Sequence, residues 1–190
     1  MTYQKIKPVI DQVNGFMGSE AQREFMFNLG KVTTCAAEIG SYKGLSACIV
    51  AAGINSVHHL TANKPRYFCI DTFACSNAEL DKESTLEEFT HVTSQIDTIK
   101  CIQVLKGWST DWQVLGKVPS LEWVYVDGSH ETQDVIADIK SYHPKVQDNG
   151  MLLFHDHTWD SVRAAIDWAE KVGMIKQICH FDDFGVYKKI

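Results

Sequence analysis

Short runs of β-branched and other apolar residues recur along the chain, and helical patterns separate most of them. Strands are expected at Thr33–Ile39, Arg66–Ile70, Cys101–Leu105, Trp123–Val126, Met151–Phe154, Lys176–His180 and Gly185–Lys188. Helical stretches fall between them at Leu45–Ala52, Leu80–Ile96, Thr110–Leu115, Thr132–Tyr142 and Ser161–Val172. In the fourth, Val135, Ile136 and Ile139 have helix spacing, with Asp134, Asp138 and Lys140 between them. Strands alternating with helices imply a doubly wound, Rossmann-like α/β fold: a mostly parallel sheet with helices on both faces. Asp182-Asp183 reads as a turn joining the last two strands into an antiparallel pair at the end of the sheet. Ahead of the first strand, Ser19 is a suitable N-cap for a helix over Glu20–Leu29.

Composition narrows the function classes. With 45% hydrophobic and 22% charged residues in 190, disorder and fibrous repeats are excluded. No repeat or Pro/Gly/Ser linker divides the chain, so residues 1–190 read as one domain, with 1–30 as a helical segment before the sheet. A net charge of -6 disfavours nucleic acid as a partner. Apolar stretches are short and Met1–Ile10 carries no apolar h-region, so neither a membrane span nor a signal peptide is expected, and a cytoplasmic location follows. The six cysteines, at 35, 48, 69, 75, 101 and 179, form no C-x-x-C pair and read as reduced, packed thiols.

In a doubly wound sheet the ligand lies beyond the carboxyl ends of the strands, so the residues just after each strand matter most. The first strand runs into Glu38-Ile39-Gly40-Ser41-Tyr42-Lys43-Gly44-Leu45-Ser46, a turn whose glycines let backbone N–H groups approach a ligand. Its G-x-x-x-G spacing is not that of dinucleotide binders, and Glu38 would repel a pyrophosphate while suiting a cation. Asp71, followed by Thr72 and Phe73, ends the second strand, where a carboxylate can accept both hydroxyls of a ribose. Gly107-Trp108-Ser109 follows the third, offering a close backbone and an aromatic face to a purine. The fourth strand ends in Val126-Asp127-Gly128-Ser129-His130 and the fifth in Phe154-His155-Asp156-His157. Two carboxylates and up to three imidazoles thus reach one rim, a set that suits a general base or a divalent metal. If the fifth strand continued, His155 and His157 would share a side with Asp156 opposite.

Glu38–Ser46, Cys69-Ile-Asp71, Val126–His130 and Asn149–Asp156 resemble, in that order, the motifs of class I S-adenosylmethionine-dependent methyltransferases. More narrowly the chain is similar to a small group with a D-G-x-H fourth strand end and a His-Asp fifth, related to macrocin-type sugar O-methyltransferases and cephalosporin-hydroxylase-like proteins. Gly15–Ala21 also fits the group's entry segment, and the resemblance covers about Gly15 to Lys188. It implies a seven-stranded sheet whose last strand is antiparallel, and S-adenosylmethionine as methyl donor. Glu38, Gly40, Ser41, Tyr42, Gly44 and Ser46 would hold the cofactor's amino-acid part, with Glu38 near its ammonium. Asp71, Thr72 and Phe73 would serve the ribose, and Gly107, Trp108 and Ser109 the adenine. Asp127 and His130 would stand beside the methionine end and the acceptor.

Catalysis would then fall to Asp127, His130, His155 and Asp156. Either a histidine removes the proton of the acceptor hydroxyl, or Asp127, His155 and Asp156 hold Mg²⁺ or another divalent cation that lowers the hydroxyl's pKa. Ser129 stands where the group has a second acid, and His155 stands where metal-dependent relatives have one. The acceptor is expected to be a small molecule: a sugar, a phenol or a polyketide-type hydroxyl. Its contacts would come from the first thirty residues, from Ala74–Leu86 and from the region after Asp156, with Phe16, Phe73, Glu79, Asp81 and Trp159 as lining. The N-terminal segment would serve as a lid or as a substrate or subunit contact, and a homodimer is expected. Two other readings use the same fold: a nicotinamide-dependent oxidoreductase, and a cofactor-binding protein without activity.

Overall fold

The computed structural model describes residues 2–13, 18–58, 64–74, 85–97 and 100–190. Within them β1 (Cys35–Ile39), β2 (Arg66–Asp71), β3 (Ile102–Lys106), β4 (Leu121–Val126), β5 (Val146–Phe154), β6 (Ile175–Phe181) and β7 (Phe184–Lys189) form one sheet in the order β3-β2-β1-β4-β5-β7-β6. The pairs among β1 to β5 are parallel, and β7 is antiparallel to both β5 and β6. The seven-stranded, doubly wound sheet with an antiparallel last strand is therefore present, and Asp182-Asp183 is the turn between β6 and β7.

The central strands are apolar on both faces because each face is roofed. Ala36, Tyr67, Cys69, Trp123, Tyr125 and Leu153 face one hydrophobic cluster, while Ala37, Phe68, Ile70, Val124, Leu152 and Phe154 face the other. Glu38 belongs by period-2 alternation to the face of Ala36, and that face carries α1 (Tyr3–Ile10), α2 (Glu20–Val32), α3 (Leu45–His58) and α4 (Thr85–Ile96). The opposite face carries α5 (Trp112–Leu115), α6 (Thr132–Tyr142) and α7 (Asp160–Lys171). Continuous burial of α3 from Leu45 to Asn55 explains its nearly unbroken apolar sequence. It meets α2 closely: a Cβ on Gly53 would stand 2.1 Å from the Phe27 carbonyl oxygen, and one on Gly30 2.4 Å from that of Val50.

Several boundaries differ from expectation. Helix α3 runs six residues further than the periodicity suggests. Helix α4 is described from Thr85, the expected residues before it lying outside the described set. Helix α1 lies within the segment 1–30 read as helical and contains Pro8; Tyr3, Ile6 and Ile10 stand at helix spacing and are buried. Those residues and the α3-facing side of α2 belong to the core, which leaves their other faces for any lid or partner contact. Cys35, Cys48, Cys69, Cys101 and Cys179 are free thiols, the first four buried; Cys75 lies outside the described residues. Among the described residues no helix is long and apolar enough to cross a membrane.

Candidate functional site

The expected residues gather at the carboxyl ends of β1 to β5. The turn after β1 passes through left-handed backbone at Gly40 (φ 87°), Tyr42 (φ 44°) and Gly44 (φ 88°). A Cβ on Gly40 would stand 2.0 Å from the Asp127 carbonyl oxygen, so glycine is required there on both counts. Below the turn Glu38 is 0% exposed. Its Oε2 accepts hydrogen bonds from Ser46 Oγ and Tyr67 OH, both at 2.8 Å. Its Oε1 and the Ser41 hydroxyl are buried and complete no hydrogen bond of good geometry among the described residues, although Ser41 and the Cys69 thiol stand close enough to act on the carboxyl. Burial pushes the Glu38 carboxyl upward, against the pull of its hydrogen bonds.

Asp71 closes the next strand. Its Oδ2 accepts from the Tyr42 N–H at 2.7 Å and its Oδ1 from the Phe73 N–H at 2.6 Å, which ties the first two βα turns together. Lone pairs remain on both oxygens of this half-buried carboxylate. The Thr72 hydroxyl accepts from the Ala74 N–H, and Phe73 is a core residue packed edge-on against Phe89 at 5.3 Å. Phe73 thus supports the turn from beneath. After β3, the Gly107 N–H donates to the Asp71 carbonyl, and Trp108 stands 68% exposed. Ser109 is engaged on the other side: its hydroxyl donates to Asp138 and its carbonyl accepts from Tyr142 OH at 2.9 Å.

Asp138 was read only as a polar position of its helix, yet it is buried, and desolvation lifts its carboxyl to about 6 despite the Ser109 bond. A carboxyl raised on folding binds its proton more tightly in the native state, so stability falls as pH rises from about 4 through about 6 and stays low above. Asp138→Asn keeps an acceptor for Ser109 and removes the buried charge. It should stabilise the protein by about 1–3 kcal/mol near pH 8 and by little near pH 4, read from urea unfolding at the two pH values.

The β4 and β5 ends carry a connected set of acids and imidazoles. Asp127 Oδ2 accepts from Tyr125 OH at 3.0 Å, and its Oδ1 lies 3.2 Å from His155 Nδ1. The same Nδ1 is 3.1 Å from Asp156 Oδ2, which also meets His130 Nε2 at 2.8 Å. Strand β5 stops at Phe154 and Asp156 takes a left-handed conformation (φ 49°), so the chain does not continue the strand's alternation. His155 and Asp156 consequently both face Asp127. His157 turns away: its N–H donates to the Asp183 carbonyl, its Nε2 lies 3.2 Å from the Asp182 carbonyl and its ring lies against His180. Burial pushes the His157 imidazole down.

The histidines differ in kind. Burial alone would lower His155, but the hydrogen bond and charge of Asp127, with Asp156 and Asp183, lift it to about 9. The two neighbouring carboxylates thus favour its imidazolium form. His130 has a side chain 43% exposed, one nitrogen on Asp156 and its ring tilted against Trp159 at 4.8 Å. Among the described residues, Asp127, His130 and Asp156 offer ligand atoms within 4.8 Å of one another, so His130 joins the expected His155 as a candidate donor beside the two acids. Two carboxylates and an imidazole suit a divalent cation chemically. Ser129 is spent locally, donating to Asp134 and accepting from the Glu131 N–H. Tyr67, Tyr125 and Asp138 were not anticipated as supports, because a buried hydroxyl or acid inside an apolar pattern carries no local sign of its partner. Phe16, Glu79 and Asp81 lie outside the described residues.

Comparison with known proteins agrees with this geometry. No curated protein matches the sequence. Cofactor-bound Rv0187 from MTB superposes with a TM-score of 0.70 at 12% identity, covering 98% of this chain and 88% of that one. An O-methyltransferase from Bacillus cereus, in complex with SAH, gives 0.68 at 12% identity, covering 98% and 90%. SAH-bound methyltransferase PaMTH1 of Podospora anserina gives 0.70 at 13%, covering 97% and 87%. Such identities establish a shared fold. The model of the methyltransferase domain matches residues 37–157, from within β1 past the His155-Asp156 pair. That span holds the glycine turn, Asp71 and the β4–β5 rim, and with it the chain belongs to the methyltransferase domain family.

Proposed function

We propose that this chain is an S-adenosylmethionine-dependent O-methyltransferase acting on a hydroxyl of a small molecule. The observation that carries the reading is the fully buried Glu38 carboxylate beneath the β1 turn, whose Oε1, like the Ser41 hydroxyl beside it, completes no hydrogen bond of good geometry. Buried polar atoms are normally satisfied, and an ammonium group above the turn would satisfy both. Asp71, tied to that turn through Tyr42, still has lone pairs for two ribose hydroxyls, and Trp108 offers a free aromatic face for adenine. A nicotinamide dinucleotide fits less well, since Glu38 would confront its phosphates.

When bound, the sulfonium supplies an electrophilic methyl carbon with a neutral thioether as leaving group. The chain's own task is to orient the acceptor and take its proton. With Nε2 directed at Asp156, His130 presents Nδ1 as the proton-accepting atom, and the carboxylate steadies the charge that forms. Asp127, held by Tyr125 and His155, lines the same rim without being consumed. In a second reading, favoured by the spacing of Asp127, His130 and Asp156, those three hold a divalent cation such as Mg²⁺ that acidifies the hydroxyl.

Calorimetric titration with S-adenosylhomocysteine, beside an NADH control, tests the pocket: micromolar binding is expected for the former and none for the latter, and the reverse result would sink the reading. EDTA separates the two chemistries. Transfer should persist in EDTA and fall by about 10²-fold or more in His130→Ala; loss in EDTA with recovery on adding Mg²⁺ would establish the metal instead. A homodimer belongs to the same reading, supported by the exposure of Val104 on edge strand β3 and of Trp112 in α5. Sedimentation at the monomer mass would remove it.

A further inference from the structure

A second group of unsatisfied polar atoms lies beside the rim, on its α2 side. Gln22, on the first turn of α2, is 0% exposed, and neither its Oε1 nor its Nε2 has a hydrogen-bond partner among the described residues. Its amide folds over Gly18: a Cβ there would stand 1.5 Å from Gln22 Oε1 and 3.5 Å from Asp183 Oδ1. The amide and the carboxylate of the β6–β7 turn are therefore neighbours, and Asp183 Oδ1 is likewise buried and unbonded. From the other side, a ring nitrogen of His155 and a carboxylate oxygen of Asp156 come within 4.8 Å of a carboxylate oxygen of Asp183. A buried amide and a buried carboxylate oxygen are costly to leave without partners, so such atoms call for a ligand.

We infer that Gln22 and Asp183 form a specificity subsite for the acceptor, one that takes a saturated group bearing adjacent hydroxyls. The inference rests on the methyltransferase reading and names the substrate class for it. Each hydroxyl both donates and accepts. Asp183 and the Gln22 carbonyl accept, while the Gln22 amide group donates, so two adjacent hydroxyls can satisfy every orphaned atom. A single phenolic hydroxyl leaves part of the set unpaired, and sites built to bond a hydroxyl reject ligands that lack it. The placement suits the chemistry: Asp183 adjoins His155-Asp156, and Asp156 holds His130. A polyol anchored on Gln22 and Asp183 would present a neighbouring hydroxyl to that rim.

Saturation-transfer NMR on the protein loaded with S-adenosylhomocysteine tests this, with methyl α-D-glucopyranoside and phenol as probes. Transfer to the glycoside ring protons is expected, falling at least fivefold in Gln22→Leu and in Asp183→Asn. Affinity for S-adenosylhomocysteine should stay within twofold of wild type in both. Gln22→Glu, which preserves shape, serves if the leucine variant fails to fold. Absence of transfer to the glycoside in wild type overturns the inference, as does transfer that the substitutions leave unchanged, or a phenol signal that they reduce. Loss of cofactor affinity only in the variants also overturns it, by assigning the two residues to the cofactor or the fold. Failure of wild type to bind S-adenosylhomocysteine at all is a different result and removes the methyltransferase reading itself.

Discussion

Asp156→Asn is expected to lower the methyl-transfer rate by about 10²–10⁴-fold while changing affinity for S-adenosylhomocysteine by less than about threefold. Asp156 sits at φ 49°, a conformation that asparagine tolerates better than most residues, so the turn should survive. What is lost is the anionic oxygen shared by His130 Nε2 and His155 Nδ1. Without it the His130 tautomer is no longer fixed, and the charge that builds on the ring during proton transfer has no counter-ion. The loss should appear in kcat rather than KM, because the residue acts on the proton and not on substrate affinity. A variant that keeps full kcat would remove the His130–Asp156 pair from the mechanism.

Glu38→Gln should weaken S-adenosylhomocysteine binding by about 10–150-fold, the range expected when a hydrogen bond to a charged partner is lost. The amide is isosteric and can still accept from Ser46 and Tyr67, so the unfolding midpoint should move little. Wild-type affinity should also depend on pH with a definite sign. Burial raises the Glu38 carboxyl in the free protein, and an incoming ammonium favours its ionised form. Binding therefore expels a proton wherever Glu38 is protonated beforehand, and affinity rises with pH across that range. The Gln variant should lose this slope. Equal slopes in the two proteins would mean that Glu38 does not meet the ammonium.

The strand ends were legible because a parallel sheet concentrates function in the few residues after each strand. Glu38, Gly40, Asp71, Asp127 and Asp156 could be picked out as sheet position combined with residue type. Side-chain direction past the end of a strand was not legible. His155, Asp156 and His157 look equivalent as letters, but the left-handed turn at Asp156 sends two of them to Asp127 and one to Asp182. The same turn decides which histidine lies between two carboxylates and which turns to the β6–β7 turn. Phe73 and Ser109 show the converse: well placed along the chain, they are occupied by Phe89 and Asp138. Long-range partners such as Tyr67 for Glu38, or Tyr142 for Ser109, leave no periodic trace, since nothing local distinguishes a satisfied core hydroxyl from a functional one.

The position of β7 has a consequence for how the chain is made. It follows β6 in the sequence yet lies inside it, between β5 and β6. As a ribosome delivers the chain from its N-terminus, β5 emerges with one hydrogen-bonding edge bare, and Leu152, Leu153 and Phe154 beside that edge are all fully buried in the finished molecule. That edge stays open until β6 and β7 have both been synthesised and β7 has paired with β5. A nascent chain halted before Phe184 would display an apolar, unpaired strand, the kind of surface that chaperones hold and that aggregates when they do not.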